Sequence, residues 1–281
     1  MMHIKSIPES RGSLPRWIVL AMVAFNCSCA TDAVTKKRVT NIYSLDEDVA
    51  MGQATLAENT RQMKDAGVKV NEDTYRLRQL EEIVGRIAAV SDMPDLPYTV
   101  TLYQTDIVNA AAAPGGSLMV FEGLWDKEKG LVQTEDELAA VMAHEIAHVT
   151  CRHSSERQSK LQAIDVVGQI GVIAASTVGY GDVAHLMLNV GGAFWLPSYS
   201  RKDEAEADVV GLMYMAKAGY DPRASPRIWE RVAQKGDQSN LFSSHPSGTD
   251  RLGRLQKYLP RAMEHYKAAT GTYPQGYAPG T

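Results

Sequence analysis

Residues 144–148 read His-Glu-Ile-Ala-His, and this pentapeptide restricts the fold more than any other part of the chain. Thr134 with Glu137 has the spacing of a capping box, and acid crowds the first turn that follows. The pattern predicts a helix over about 135–156. Residues four apart on a helix differ by about 40° around the axis and lie one turn apart along it, so both imidazoles can reach one cation. Glu145 lies about 100° from His144, beside the cation rather than on it, where it can take a proton from an attacking water. A second element must complete the site.

A hydrolytic zinc site has three protein ligands and one open position, and this helix supplies two. A histidine six residues after His148 would be one solution, but that position is Ser154. His153 lies five residues on, about 140° from the face of His148 on a continuous helix, and reads as a solvated helix-end residue. Ser200–Asp208 offers more. Ser200 with Asp203 opens a helix on which Glu204 and Asp208 share one face. One carboxylate can bind the metal while the other accepts the outer ring N–H of a ligating histidine. The competing reading is an acidic solvated face, which Glu206 fits because it points elsewhere on that helix.

The rest of the chain supplies a scaffold. Helices are expected over about 45–66, opened by Ser44 with Glu47, and over about 73–90. Residues 98–103 and 117–121 read as two strands that pair through the loop between them, with Pro114-Gly115-Gly116 as a turn. Residues 161–196, apolar and rich in glycine, read as amphipathic helices that pack near the site or touch a membrane surface. A helix over 200–218 and a pair over 225–234 and 249–259 follow, then a flexible tail at 261–281. The expected fold class is α+β and mainly α-helical, with a small antiparallel sheet whose edge strand flanks the metal-binding helix. The domain spans 42–260.

An apolar fraction of 44% supplies a core of ordinary size, and a net charge of -4 argues against nucleic acid as a partner. The N-terminus is different. Lys5, Arg11 and Arg16 precede the apolar run Trp17–Phe25, too short for the roughly 20 residues that a membrane span needs. With Cys27, Ser28, Cys29 and Ala30 after it, the segment reads as a secretory signal over 1–29, followed by a linker over 30–41. Cys29 resembles the acylated cysteine of a bacterial lipoprotein. Cleavage near Ala30 without a lipid is the alternative. The expected location is the periplasm, with a lipid on Cys29 anchoring the chain to a membrane, the outer one favoured. Cys151 would then be the only other thiol, which excludes a disulfide framework.

Taken in order, HEIAH, SRKDEAEAD, Ser-His245-Pro and Asp-Arg251-Leu resemble metallopeptidase family forty-eight, which includes the CAAX prenyl endopeptidases, HtpX and BepA-like periplasmic proteases. The segment from Asn109 through Gly115, Gly116, Ser117, Leu118 and Met119 resembles the strand before that family's zinc helix. Similarity runs over about 42–259. The resemblance implies a zincin-like peptidase domain of the gluzincin type with one zinc per chain, ligated by His144, His148 and Glu204. It makes Glu145 the general base and Asp208 the partner of a ligating histidine. His245 becomes a movable fourth ligand or an oxyanion stabiliser, and Arg251 orients nearby carboxylates. Asn109 and residues 115–119 would contact substrate, the strand from Gly116 to Phe121 pairing with an extended polypeptide. Implied substrates are unfolded or misassembled envelope proteins. The resemblance has gaps: the family's Asn-Ala-Phe-Ala is here Asn109-Ala-Ala-Ala, and neither HtpX-like membrane helices nor a BepA-like repeat domain follows. A catalytically silenced envelope chaperone with the same fold is the alternative function.

Overall fold

The computed structural model describes residues 29–31, 36–128, 130–170, 199–234, 245 and 250–279. All but Cys29 of the signal reading at 1–29, and most of the apolar stretch at 161–196, lie outside the described residues. Residues 30–41, read as a linker, include part of a ribbon in which β1 (Cys29–Thr31) pairs antiparallel with β2 (Arg38–Thr40). Lys36 adopts a left-handed φ of 59° just before β2.

Seven helices and a four-stranded sheet form the remainder of the described structure. Helix α1 (Leu45–Asp65) starts in a complete capping box, Ser44 with Glu47. β3 (Lys69–Val70) and α2 (Thr74–Ala88) follow. Helix α2 packs Leu80, Ile83, Val84 and Ile87 into the core, as helical spacing requires. The sheet runs β3, β4 (Thr99–Gln104), β6 (Ser117–Phe121), β5 (Ala110–Ala113). It is mixed rather than antiparallel: β4 and β6 are parallel, and β5 is antiparallel to β6. The chain reverses once after β4 to make β5 and again at Pro114–Gly116, so β6 returns in the direction of β4 and slots between the two. Four alanines have little strand propensity, which is why the residue pattern did not mark β5 as a separate strand. The short side chains serve both faces: Ala110 and Ala112 join the core around the metal-binding helix, and Ala111 and Ala113 join a smaller cluster with Met63 and Phe121.

Helix α3 (Glu135–Thr150) is buried on nearly every face, from Glu137 to Thr150, with only His144 partly open. The expected continuous helix is interrupted at Cys151 and Arg152, and α4 (His153–Ile170) leaves in a new direction. Arg152 adopts a left-handed φ of 54°. Its guanidinium is held by Asp48 at 2.7 Å and by the Tyr43 and Ser44 carbonyls at 2.7 and 3.2 Å. The Thr134–Glu137 box is also only half formed. Thr134 accepts the Glu137 N–H, but the Glu137 carboxylate accepts from the Gln133 N–H and from Arg231.

Helix α5 (Arg201–Lys217) opens in a full capping box and crosses α3 at Gly211, where a Cβ would lie 2.9 Å from the Ala143 carbonyl oxygen. Helices α6 (Ala224–Gln234) and α7 (Arg251–Thr270) complete the bundle. Helix α7 does not stop at Leu259. It runs through Pro260 to Thr270 because Ala262 and Met263 are fully buried on the far side, offsetting the hydrogen bond that proline cannot make. Much of the stretch expected as a flexible tail is therefore helix. Among the described residues no helix is long and apolar enough to cross a membrane.

Candidate active site

Four side chains from three places in the chain converge: His144 and His148 on α3, Glu204 on α5, and His245. Their ligand atoms lie within 4.8 Å of one another. Helical spacing brings the two histidine Nε2 atoms to 3.1 Å. Glu204 reaches each with a different oxygen, Oε2 to His144 at 3.3 Å and Oε1 to His148 at 3.4 Å. Donors at the corners of a tetrahedron with bonds of about 2.0–2.1 Å stand ~3.3 Å apart, so these three side chains, with either oxygen of Glu204, are placed to hold zinc. Imidazole and carboxylate are also the donor types zinc takes in hydrolytic sites.

Of the two carboxylates left open by spacing, Glu204 stands at the metal-binding corner and Asp208 behind His144. Asp208 Oδ1 lies 3.4 Å from the outer nitrogen of His144, Nδ1. Arg251, from α7, donates to both carboxylates: Nη1 to Glu204 at 2.7 Å and Nε to Asp208 at 3.1 Å. Arg254 adds a bond to Asp208 at 3.0 Å. The Arg251 guanidinium lies 3.9 Å from the Trp229 ring centroid, held against its face. Burial opposes charge on these groups. For Asp208 the Arg251 charge outweighs it and holds the carboxyl below its usual range. For His144 burial is outweighed by hydrogen bonds to Asp208 and Glu204, which raise the imidazole.

Among the described residues no carboxylate lies at the outer nitrogen of His148. His148 Nδ1 lies 2.8 Å from Nδ1 of His153. Tyr199 stacks on the His148 ring, centroids 3.6 Å apart at 19°, and its hydroxyl donates to the Ala112 carbonyl at 3.2 Å. Burial dominates here and holds His148 well below the ordinary histidine range.

His245 sits against both acids. Its Nδ1 is 2.7 Å from Glu204 Oε1 and its Nε2 is 3.2 Å from Glu145 Oε1. Burial disfavours its positive charge, but the two carboxylates prevail and raise its pKa to about 10. Glu204 is held well below the usual carboxylate range, burial being overcome chiefly by the His245 charge. Glu145 is buried, and its Oε2 has no hydrogen-bond partner among the described residues.

The expected substrate strand is placed otherwise. β6 is paired on both sides, and Ser117, Leu118 and Met119 are buried, so the strand from Gly116 to Phe121 offers no free edge. Gly115 and Gly116 adopt φ of 69° and 102° and pack under α1 and Tyr98, where a Cβ at Gly115 would lie 2.4 Å from Val49 Cα. Asn109 is buried, its Oδ1 accepting the Ala110 N–H. The edge beside α3 belongs to β5. Sequence reasoning also misplaced His153, which a straight helix would turn away and the break at Arg152 turns inward. Glu206, expected to be solvated, has a side chain only 11% exposed. Tyr199 was not singled out, although it immediately precedes the helix cap at Ser200. Gly211 was also passed over, although a glycine inside a helix is itself a sign of close packing.

Comparison with known proteins agrees with this geometry. Residues 75–259 match the model of peptidase family M48. The mitochondrial metalloendopeptidase OMA1 of Schizosaccharomyces pombe is 34% identical over 265 residues, 91% of this chain and 75% of that protein. The OMA1 of Saccharomyces cerevisiae is 32% identical, over 57% of this chain and 46% of its own length. The beta-barrel assembly-enhancing protease of Yersinia pestis is 28% identical, over 82% of this chain and 47% of its own length. The chain thus spans three quarters of the first relative and about half of the other two. The match over most of the chain, together with a His, His, Glu cluster that fits zinc, places it: the chain belongs to peptidase family M48, a family of zinc metallopeptidases.

Proposed function

We propose that the chain is a zinc-dependent endopeptidase of the bacterial cell envelope that cleaves unfolded or misassembled envelope polypeptides, with Glu145 as general base. The carrying observation is the convergence of His144, His148 and Glu204 on one point, with the unpartnered Oε2 of Glu145 buried beside them. His144, His148 and Glu204 would hold zinc, which would supply Lewis-acid polarisation of a peptide carbonyl and a water acidified to a pKa of about 7. Glu145 accepts the proton of the attacking water and returns it to the leaving amine. Asp208 and Arg251 hold His144 and Glu204 in place. An extended substrate would pair with β5, the strand edge nearest α3, whose alanines are buried in this conformation and must be uncovered first. The cavity beside His144, about 30 Å³ and lined by Val141, Leu212, Ile228 and Trp229 as well as by Asp208, His245 and Arg251, takes no more than a small side chain. The envelope assignment draws support from the basic and apolar N-terminus and from relatives named for β-barrel assembly. Mass spectrometry of the mature chain tests the lipid, since an unmodified N-terminus at Thr31 rejects an anchor on Cys29.

One observation favours a second reading. His245 stands 3.4 Å from His144 Nε2 and pairs with the general base, as a residue closing the site would. The chain would then bind polypeptides without cutting them. Casein cleavage by the purified chain, with Glu145→Gln and His245→Ala alongside and zinc measured in each, separates the two. A peptidase loses about 10²–10⁴-fold in rate on Glu145→Gln while keeping its zinc. An inactive parent with zinc bound, activated by His245→Ala, indicates self-inhibition. No cleavage by parent or His245→Ala refutes the enzyme reading.

A further inference from the structure

His148 is the only one of the two helix histidines whose outer nitrogen meets another imidazole rather than a carboxylate. To offer Nε2 to a metal, a neutral His148 must carry its hydrogen on Nδ1. That nitrogen lies 2.8 Å from His153 Nδ1, so His148 donates and His153 accepts. The accepting ring then carries its own hydrogen on Nε2. Facing that atom at 3.6 Å is Glu206 Oε2, longer than a hydrogen bond but of the sign that favours hydrogen there. Glu206 in turn accepts from Lys37 at 2.8 Å, on the segment leading into β2. His153 is 3% exposed, and a buried polar ring held this way has one orientation. Two local devices create the contact. The left-handed Arg152 redirects the chain after α3, and Tyr199 closes the site from the other side by stacking on His148.

We propose that His153 is a positioning residue for metal binding, fixing the tautomer and ring orientation of His148, with Glu206 fixing those of His153 in turn. The inference rests on His148 being a zinc ligand. It predicts that the site is set by one ionic support, Asp208 behind His144, and one neutral support, His153 behind His148. A neutral acceptor orients the ring without adding negative charge to a pocket that already holds Glu145, Glu204 and Asp208. Loss of such a support lowers metal affinity about 10–100-fold.

The test uses the full chain and reads zinc affinity by competition with a chelator. His153→Phe keeps the ring and removes the acceptor; its zinc Kd should rise about 10–100-fold. His153→Asn places an oxygen near the position of Nδ1 and should recover most of that loss. Glu206→Gln should weaken zinc by less than His153→Phe. Nitrogen-detected NMR of the zinc-loaded parent should show His153 neutral with its hydrogen on Nε2. A His153→Phe protein that binds zinc within twofold of the parent overturns the proposal, as does a His153 hydrogen found on Nδ1. Should His153→Phe fail to fold, His153→Ala against His153→Asn gives the same contrast, and equal zinc affinities there also overturn it. A parent that binds no zinc refutes the metal reading itself, a separate result.

Discussion

The two histidines of the metal-binding helix are one turn apart, yet they are supported by opposite chemistry. Behind His144 stand Asp208 and Arg251, both buried, and the half-buried Arg254, an ionic cluster drawn from α5 and α7. Behind His148 stand His153 and Tyr199, neutral groups that stack and hydrogen-bond. The difference follows from what each side must also do. The His144 side joins α3, α5 and α7, so its charges hold helices together as well as orienting a ring. The His148 side faces the β5 edge, where Tyr199 already spends its hydroxyl on the Ala112 carbonyl, and extra charge would have to be desolvated there.

That contrast makes the ionic side the one whose loss damages the fold. Asp208→Ala leaves the Arg251 guanidinium buried without one of its two carboxylates, and removing one partner of a buried pair costs about 3–5 kcal/mol. Urea unfolding of the metal-free protein should show a loss of that size. A variant as stable as the parent would break the comparison, placing Asp208 on the same footing as the neutral side. Gly211→Ala comes next. Alanine gains about 1 kcal/mol of helix propensity over glycine, but its Cβ meets the Ala143 carbonyl oxygen and the His144 nitrogen at 2.9 Å, both backbone atoms that cannot swing aside. Overpacking of about 1–3 kcal/mol wins, and the shift of α5 carries Glu204 away from the histidines. Lower thermal stability together with weaker zinc binding is the expected pair, and a gain in stability would show that the crossing yields. The smallest effect belongs to Tyr199→Phe, which keeps the stack and loses the bond to Ala112. Stability should fall by about 0.5–1.5 kcal/mol. KM for an extended peptide should fall as well, because the β5 carbonyl is freed for substrate. An unchanged KM would locate substrate elsewhere than on this edge.

How far the site could be read in advance varied with how local its causes are. The pairing of His144 with His148 depends on helical periodicity alone, and the capping boxes at Ser44 and Ser200 depend on three-residue spacings, so all formed as expected. Spacing showed Glu204 and Asp208 only as a pair, and their division of labour came from the family resemblance alone, because it depends on the angle at which α5 crosses α3. β5 was invisible because alanines carry no strand signal. The placement of β6 between its neighbours followed from that missing reversal. Helix α7 outran Pro260 because burial beyond it outweighs a local penalty.

The chain by itself determined the metal-binding helix, the class of chemistry its His-Glu-His spacing allows, and the carboxylates available to complete the site, because each rests on contacts within a turn or two of helix. Tertiary structure decided which carboxylate faces the metal, which strand edge lies beside it, and that His153 supports His148. A single left-handed residue, Arg152, decided the last of these. Its conformation is held by Asp48 and by the Tyr43 and Ser44 carbonyls, about a hundred residues away along the chain, and no local pattern records such a contact.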